Sequence, residues 1–442
     1  MGEAKTLKLK PRVGFYAVYE PAEEGWQDWE TQSTLLCQCM RRRGMEVVEA
    51  PEAVRDLASC QRVAEYFHRR ALDVLHVLVV TWSCDHYSYL IQQANPLPLI
   101  IRSIPGIRSG SIVGAQQLAS VLADLGLEHR LLYGPLECKP PMAEAFNFAA
   151  ACALRSRLKH ATFAMLGRRT PGMTPIAVDE LEIMRIFGAR LVHFGMDELD
   201  GLAAQVSDVD AEGEWARVSA GASAISCSNA SGINAMRTYL ALRRLAQGEK
   251  LAGLAVGSYP ACQGSACLPI ALLNEEGIVA GCEGDMNATL LMYILSQLSD
   301  YPVHFGEMLE VDEQQNTIVS SHCGAAAPSL ASDAGYTLCP VRLAQAGVCI
   351  RFRARTGLIT YANLVGRRGA YRMCAFEGEA IPTEMVFEGN PLRLHLSPSF
   401  RGVWNAVAEH GFGHHWMASY AHVLPVLVEF CRLTGIQGVF PA

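Results

Sequence analysis

The sequence has no long apolar run and no excess of basic residues. A transmembrane helix needs about 20 consecutive apolar residues, whereas the longest apolar segments here, such as residues 74–82, are short and β-branched. A surface that tracks nucleic-acid phosphates needs many lysines and arginines, whereas the formal net charge is −7. We therefore expect no membrane span and no nucleic-acid partner.

Two further signals are missing. The N-terminal segment has no long apolar core, so we expect no signal peptide and a cytoplasmic protein. The 15 cysteines are scattered, and none forms a CxxC pair. Isolated cysteines in apolar settings are typical of reduced thiols packed in a core, and they do not support a zinc ribbon.

Apolar material is abundant, since 50% of the 442 residues are hydrophobic. In two successive stretches, apolar β-prone runs alternate with helical patterns, which indicates parallel α/β sheets. The last stretch instead alternates apolar and polar residues between glycine-containing turns, which is typical of antiparallel strands. The predicted fold class is α/β, with two Rossmann-like parallel-sheet domains followed by a mainly antiparallel β-rich C-terminal domain. We expect the two α/β domains at residues 1–157 and 158–330, and the β-rich domain at 331–442.

The most informative segment is 282–330, which contains Glu283, Glu307 and His322. Each of these residues lies in or at the end of a predicted strand. If those strands are parallel neighbours, they finish at one sheet edge and the three side chains meet there. A buried carboxylate is costly unless it is paired or binds a metal. Exposure or helix capping is the alternative for the acidic residues, and a structural role is the alternative for His322.

A histidine pair near the C-terminus, His414 and His415, enlarges this group. Two carboxylates with one or two imidazoles suit a divalent cation such as Mn²⁺ and leave positions for substrate oxygens. The spacing alone does not decide which of the two histidines is a ligand. Asp285 and His422 are close competitors, and we interpret them as supporting or capping residues.

Several segments together resemble the L-fucose isomerase and L-arabinose isomerase superfamily, and the chain looks like a shorter and divergent member of it. They are the Glu-Gly-Asp of 283–285, a later strand carboxylate, the His-Cys-Gly of 322–324 and the late His-His pair. The match is strongest over 273–330. The N-terminal domain fits by pattern only.

The resemblance implies an aldose–ketose isomerase that binds Mn²⁺, or another divalent cation, through Glu283, Glu307, His322 and His415, with His414 as the alternative to His415. Glu283 and Glu307 are also implied to be the catalytic acid and base that form an enediolate. A glutamate at 307 and a histidine at 322 are features of the arabinose branch. The resemblance further implies a sugar substrate and a homo-oligomer, such as a hexamer.

Additional contacts with the sugar are assigned to His414, Trp404, Tyr19 and His86. Tyr19 follows the first predicted strand and His86 follows the third, where ligands bind in parallel sheets. Trp404 lies near the histidine pair and suits stacking on a sugar face, with core packing as its alternative. In this family, the N-terminal domain of a neighbouring subunit closes the pocket.

Three alternatives stay open. The first is an isomerase for an anionic or modified hexose such as a sulfonated, sulfoquinovose-like sugar. Arg168, Arg169 or the arginines of 351–355 would then bind the anion, because guanidinium groups match sulfonate oxygens. The second is a non-catalytic sugar-binding or regulatory protein. The third is metal-dependent hydrolysis or aldol cleavage.

Overall fold

The computed structural model describes residues 8–137, 139–259, 264–333 and 335–442. The chain divides into two compact units with the boundary after Arg157. Within the described ranges, no helix combines the length and apolar character needed to cross a bilayer. The predicted fold class is confirmed, whereas the division into three domains stays a prediction.

The first unit contains a parallel sheet whose strands are joined by helices. Its elements are β1 (Arg12–Val18), α1 (Trp29–Arg42), β2 (Glu46–Glu49), α2 (Leu57–His68), β3 (Val74–Val79), α3 (Asp85–Ala94), β4 (Leu99–Ser103), α4 (Ser111–Asp124), β5 (His129–Tyr133) and α5 (Lys139–Leu158). The strand order is β2-β1-β3-β4-β5, and every pair is parallel. All six residues of β3 are buried, as expected for a central strand of a parallel sheet.

The second unit begins with another parallel α/β arrangement. Its elements are β6 (Thr162–Leu166), α6 (Glu180–Phe187), β7 (Arg190–Phe194), α7 (Met196–Ala204), α8 (Asp208–Ala220), β8 (Ala224–Ile225), α9 (Asn229–Gly248), β9 (Gly253–Val256), α10 (Cys267–Glu275), β10 (Val279–Gly281) and α11 (Met286–Leu298). Four of these strands form a parallel sheet in the order β10-β9-β6-β7. The loops after β6, β9 and β10 therefore share one edge of this sheet.

The rest of the second unit is mainly antiparallel. Its elements are β11 (His304–Asp312), β12 (Thr317–Ser321), β13 (Thr337–Val341), β14 (Ala346–Arg351), β15 (Gly357–Arg367), β16 (Ala370–Ile381), β17 (Leu392–Leu396), α12 (Phe400–His410), β18 (His415–Ser419), α13 (Leu424–Thr434) and β19 (Gln437–Val439). Six strands close a barrel in the order β15-β18-β11-β12-β17-β16, because β15 also pairs with β16. β19 extends β16 in parallel, and the β13–β14 hairpin joins β8 in a separate small sheet.

One expectation is wrong. β11 and β12 are not parallel neighbours of β10 but antiparallel strands of the barrel. Their apolar character predicts strands correctly, yet it does not specify the partner, and β11 pairs with β18, far away in sequence. The helix α11 connects the two arrangements, because it is buried along most of its length and packs on β9 and β10 as well as on β15 and β18. This packing brings the start of α11 to the start of β18.

Candidate metal centre

Glu283 lies in a tight turn between β10 and α11. Its backbone N–H donates to Ser258 Oγ at 3.1 Å, and its carbonyl accepts from the N–H of Thr170 at 3.0 Å. Glu283 itself has φ 62°, a left-handed conformation that costs a non-glycine residue about 1 kcal/mol or more. A Cβ atom at the next residue, Gly284, would lie 2.7 Å from Arg169 Cα. The loops that follow β6, β9 and β10 thus fix the Glu283 backbone, and the strain of this backbone is typical of a functional position.

His415, the first residue of β18, contacts two carboxylates of this turn. Its Nε2 lies 3.0 Å from Glu283 Oε2, and its Nδ1 lies 2.8 Å from Asp285 Oδ2. Asp285 also caps α11, because its other oxygen accepts from the N–H of Ala288 at 3.0 Å. The His415 ring is 4% exposed. Its orientation is therefore fixed by the turn that carries Glu283.

The barrel supplies the remaining predicted ligands. Glu307 in β11 is in register with His415 on one side and with Ser321 on the other, and His322 follows Ser321 directly. The ligand atoms of Glu307, His322 and His415 lie within 4.8 Å of one another. His322 Nε2 is 3.9 Å from Glu283 Oε1. The four residues predicted to bind metal are thus brought together, but from two different sheets.

These groups differ in their affinity for protons. Burial opposes ionisation of Glu283, but the hydrogen bond from His415 and the charges of the neighbouring histidines together outweigh burial and lower the Glu283 pKa. Burial raises the pKa of Glu307, which the neighbouring histidines offset only in part. Burial also disfavours the charged form of His415, yet the hydrogen bonds to Asp285 and Glu283 raise its pKa to about 10. Glu283 is therefore an anion, while Glu307 retains its proton more readily.

His414 also lies at this centre. Its Nε2 is 3.7 Å from Glu307 Oε1, and its side chain is 38% exposed. Its ligand atom falls within 4.8 Å of those of Glu283 and His415. Burial and the charge of His415 lower the pKa of His414. His415 is the more deeply held member of the pair, and the metal assignment stays a prediction.

The residues fit a divalent cation by the chemistry of their donors. Carboxylates and imidazoles are the ligands that Mn²⁺ and similar ions accept in proteins. A histidine ligand commonly donates its second ring N–H to a carboxylate, and the contact between His415 Nδ1 and Asp285 has this form. Glu283, Glu307, His322 and His415 are therefore a suitable set.

A cavity of about 420 Å³ opens beside the ligands, and its described wall includes Glu283, Glu307 and His322. Sites for small molecules commonly occupy about 300–1,000 Å³. The cavity is therefore large enough for a small-molecule substrate whose oxygens reach these side chains.

Three cysteines that line the same cavity were not singled out from the sequence: Cys267, Cys282 and Cys323. Cys267 Sγ lies 3.5 Å from Cys323 Sγ, which lies 3.2 Å from Nδ1 of His322. The hydrogen bond with Cys323, together with burial, raises the pKa of Cys282 well above its ordinary value. In the sequence, these three cysteines look like core thiols. The one local sign of their location is that Cys282 directly precedes Glu283 and Cys323 directly follows His322.

Besides His414, three residues were assigned to additional sugar contacts: Trp404, Tyr19 and His86. Trp404 in α12 is 51% exposed, stacks on Phe400, and is absent from the described wall of the cavity. Tyr19 and His86 belong to the first unit. The Tyr19 ring is buried and stacks on Trp26 at 5.1 Å, whereas the side chain of His86 is 58% exposed. Their contacts with substrate stay predictions.

The comparisons with known proteins find enzymes of the isomerase class. The chain is 26% identical to a sulfoquinovose isomerase of Alkalicoccus urumqiensis over 366 residues, which is 78% of this chain and 80% of the relative. It is 21% identical to the sulfoquinovose isomerase of Priestia aryabhattai over 422 residues, covering 91% and 95% of the two chains. A sulfoquinovose isomerase of Clostridium sp. (strain MSTE9) is 26% identical over 342 residues, or 75% and 76%. No protein-family model matches the chain.

These similarities extend over most of the chain and of each relative. They confirm the prediction that the chain is an isomerase enzyme, and a sugar substrate is consistent with them. The link to the L-fucose and L-arabinose isomerases stays a prediction that rests on the quoted residues.

Proposed function

We propose that this chain is a metal-dependent aldose–ketose isomerase that acts on a sulfonated hexose of the sulfoquinovose type. The similarity to named sulfoquinovose isomerases supports the substrate class. The observation that carries the chemistry is the convergence of Glu283, Glu307, His322 and His415 beside one cavity. A protein that only binds a sugar does not need this donor set.

Glu283, Glu307, His322 and His415 would hold Mn²⁺ or another divalent cation. Such a cation, when bound, supplies Lewis-acid stabilisation of negative charge on neighbouring sugar oxygens. Asp285 fixes the His415 ring so that its Nε2 faces Glu283. With the cation bound, such a centre would favour negative charge at the oxygens of C1 and C2.

Interconversion of an aldose and a ketose moves one proton between C1 and C2 and another between O1 and O2. Glu283 and Glu307 come from different sheets and line the same cavity. Two carboxyl groups that face one substrate can exchange the roles of base and acid. Glu283, the stronger acid, is suited to begin as the base, and Glu307 is suited to carry a proton.

We also infer membership of the L-fucose and L-arabinose isomerase superfamily. The support is the shared order of Glu283, Glu307, His322 and the late histidine pair, which the structure brings together. A homo-oligomer and a cytoplasmic location stay predictions.

The test uses protein from which bound metal has been removed with EDTA and to which Mn²⁺ is then added. It is incubated in D₂O with sulfoquinovose and with neutral and 6-deoxy aldoses, and NMR follows deuterium at C2 and the appearance of ketose. We expect exchange and a sulfonated ketose from sulfoquinovose only when the cation is present. Metal-loaded protein that catalyses no exchange with any of these sugars would overturn the proposal.

A further inference from the structure

We propose that Arg342 binds the sulfonate group of the substrate and determines selectivity for an anionic sugar. The inference rests on the proposed function. It names the residue of this chain that recognises the end of the sugar remote from the reacting carbons.

Arg342 lies in the turn between β13 and β14, and it lines the same cavity as Glu283 and Glu307. It is the one arginine or lysine in the described wall of that cavity. The wall therefore combines a cation-binding centre with a separate fixed positive charge. A hexose that carries an anion at C6 and reacts at C1 and C2 has the complementary arrangement of charges.

The guanidinium of Arg342 is available to a ligand. Its Cζ lies over the ring of Phe387, 4.9 Å from the ring centroid. Within the part of the chain that the structure describes, no carboxylate lies within ion-pair distance of Arg342, unlike Arg353 and its partner Glu384 at 3.1 Å. A cation–π contact restrains the guanidinium and leaves N–H groups at its edge free for a ligand. Those N–H groups match the spacing of sulfonate oxygens.

The arginines favoured by the sequence are less suitable. Arg351 is 3.3 Å from Glu388 Oε2 and also donates to the carbonyl of Pro340 at 3.0 Å. Arg353 is held by Glu384. None of the predicted anion-binding residues lines the described wall of the cavity: Arg168, Arg169, Arg351, Arg353 and Arg355. Binding of the anion by one of them stays a prediction, which the described lining of this cavity does not favour.

The turn that carries Arg342 is fixed relative to the metal centre. Val341 belongs to a buried cluster that includes Cys267, and Cys323 packs against that cluster. Cys323 follows the predicted ligand His322 directly. The hairpin also contacts the start of the α10 region closely, since a Cβ at Gly347 would lie 2.6 Å from the backbone of Gly264. The position of this turn relative to the predicted ligands is thus set by packing, which lowers the entropy cost of binding both ends of one sugar.

The experiment uses full-length, Mn²⁺-loaded Arg342→Gln with sulfoquinovose and D-glucose. Calorimetry measures the Kd for sulfoquinovose, and the NMR assay measures KM and kcat for both sugars. We expect Kd and KM for sulfoquinovose to rise at least about tenfold, because glutamine cannot form the charge-assisted hydrogen bonds that a guanidinium makes to a sulfonate. The loss should appear more in KM than in kcat, and any activity on glucose should change less than the activity on sulfoquinovose, since glucose carries no anionic group.

Two further variants complete the test. Arg342→Lys keeps the charge but loses the fork of donors, so it should recover part of the affinity. Arg401→Gln is the matched control, because Arg401 pairs with Glu313 at 3.0 Å and is absent from the described wall of the cavity. It should bind sulfoquinovose as the unmodified protein does.

The outcomes separate the two proposals. Unchanged Kd and KM in Arg342→Gln would overturn the role of Arg342 and leave the isomerase intact. Binding of sulfoquinovose without turnover, lost in Arg342→Gln, would overturn the isomerase and support the anion site. Failure of the unmodified protein to bind sulfoquinovose would overturn both.

Discussion

Two buried histidines, one in each unit, have pKa values shifted in opposite directions. His76 in β3 is 1% exposed, and neither ring nitrogen has a hydrogen-bond partner among the described residues. Burial, with the nearby charge of Arg102, lowers its pKa to about 3. His415 in β18 is 4% exposed, yet its contacts with Asp285 and Glu283 raise its pKa to about 10.

The contrast shows what distinguishes a site from a core. Removal from water makes an imidazole neutral and inert, as in His76. An imidazole between two carboxylates instead marks a place where negative charge accumulates and where a cation is stabilised. Burial of a histidine therefore carries little functional information until its partners are known.

The largest expected effect comes from removing the charge that Glu283 places beside His415. Glu283→Gln retains the shape of the side chain, but it can neither accept a proton nor stabilise a cation. We expect the rate of isomerisation to fall by about 10³-fold or more, within the range attributed to general acid–base catalysis plus the loss of a ligand. The measurement is Mn²⁺-dependent deuterium exchange from D₂O into sulfoquinovose.

The matched control is Glu310→Gln, an exposed glutamate of β11. It should retain full activity. Near-normal turnover in Glu283→Gln would show that the carboxylate at position 283 is not required.

A smaller effect, on metal affinity, is expected from Asp285→Asn, which weakens the hydrogen bond between His415 Nδ1 and the side chain of residue 285. Asparagine is as good a helix N-cap as aspartate, so α11 should keep its stability. The ring of His415 loses an anionic acceptor, and such changes typically reduce metal affinity about 10–100-fold. Calorimetric titration of the metal-free variant with Mn²⁺ measures the change. Unaltered affinity would mean that Asp285 acts only as a cap.

The smallest effect concerns His76, which should influence stability and not catalysis. Its folded-state pKa of about 3 lies below the value of about 6.5 in an unfolded chain. Between these values the unfolded chain binds the extra proton, so the free energy of unfolding is greatest above pH 6.5 and falls as the pH decreases. The expected contribution to this slope is about 1.4 kcal/mol per pH unit.

His76→Leu should remove that contribution. Urea unfolding between pH 7 and pH 4.5 should therefore give a flatter dependence for the variant than for the unmodified protein. His395→Leu, at an exposed position of β17, should retain the original slope. Identical slopes in all three proteins would show that His76 is not the source.

Much of the candidate site is predictable from local sequence. Glu283 stands out because a charged residue follows the apolar strand β10, and His322 stands out because it ends the apolar strand β12. Their proximity to Glu307 was predicted correctly, but for the wrong reason, since two of the three strand ends belong to the barrel. Strand character is encoded by residues two apart, whereas strand partners depend on contacts across the chain.

Other features could not be recognised locally. Cys267 and Cys323 have the apolar surroundings of core thiols, and only their contact reveals a cluster beside His322. Arg342 lies in a short hairpin turn, and its importance comes from the cavity that it lines. The contact between the cysteines and the position of Arg342 both depend on the packing of the β13–β14 hairpin against α10. No periodicity in the sequence predicts this packing.

The joining of two sheets at Glu283 and His415 has a consequence for folding. Neither the parallel sheet nor the barrel contains a complete donor set, and the contact between them depends on α11 being buried against both. A chain in which only the sheet or only the barrel has formed therefore lacks the full set of predicted metal ligands. We therefore expect activity to appear only after both parts have formed, so that activity per molecule reports the fraction of chains that have completed their long-range assembly.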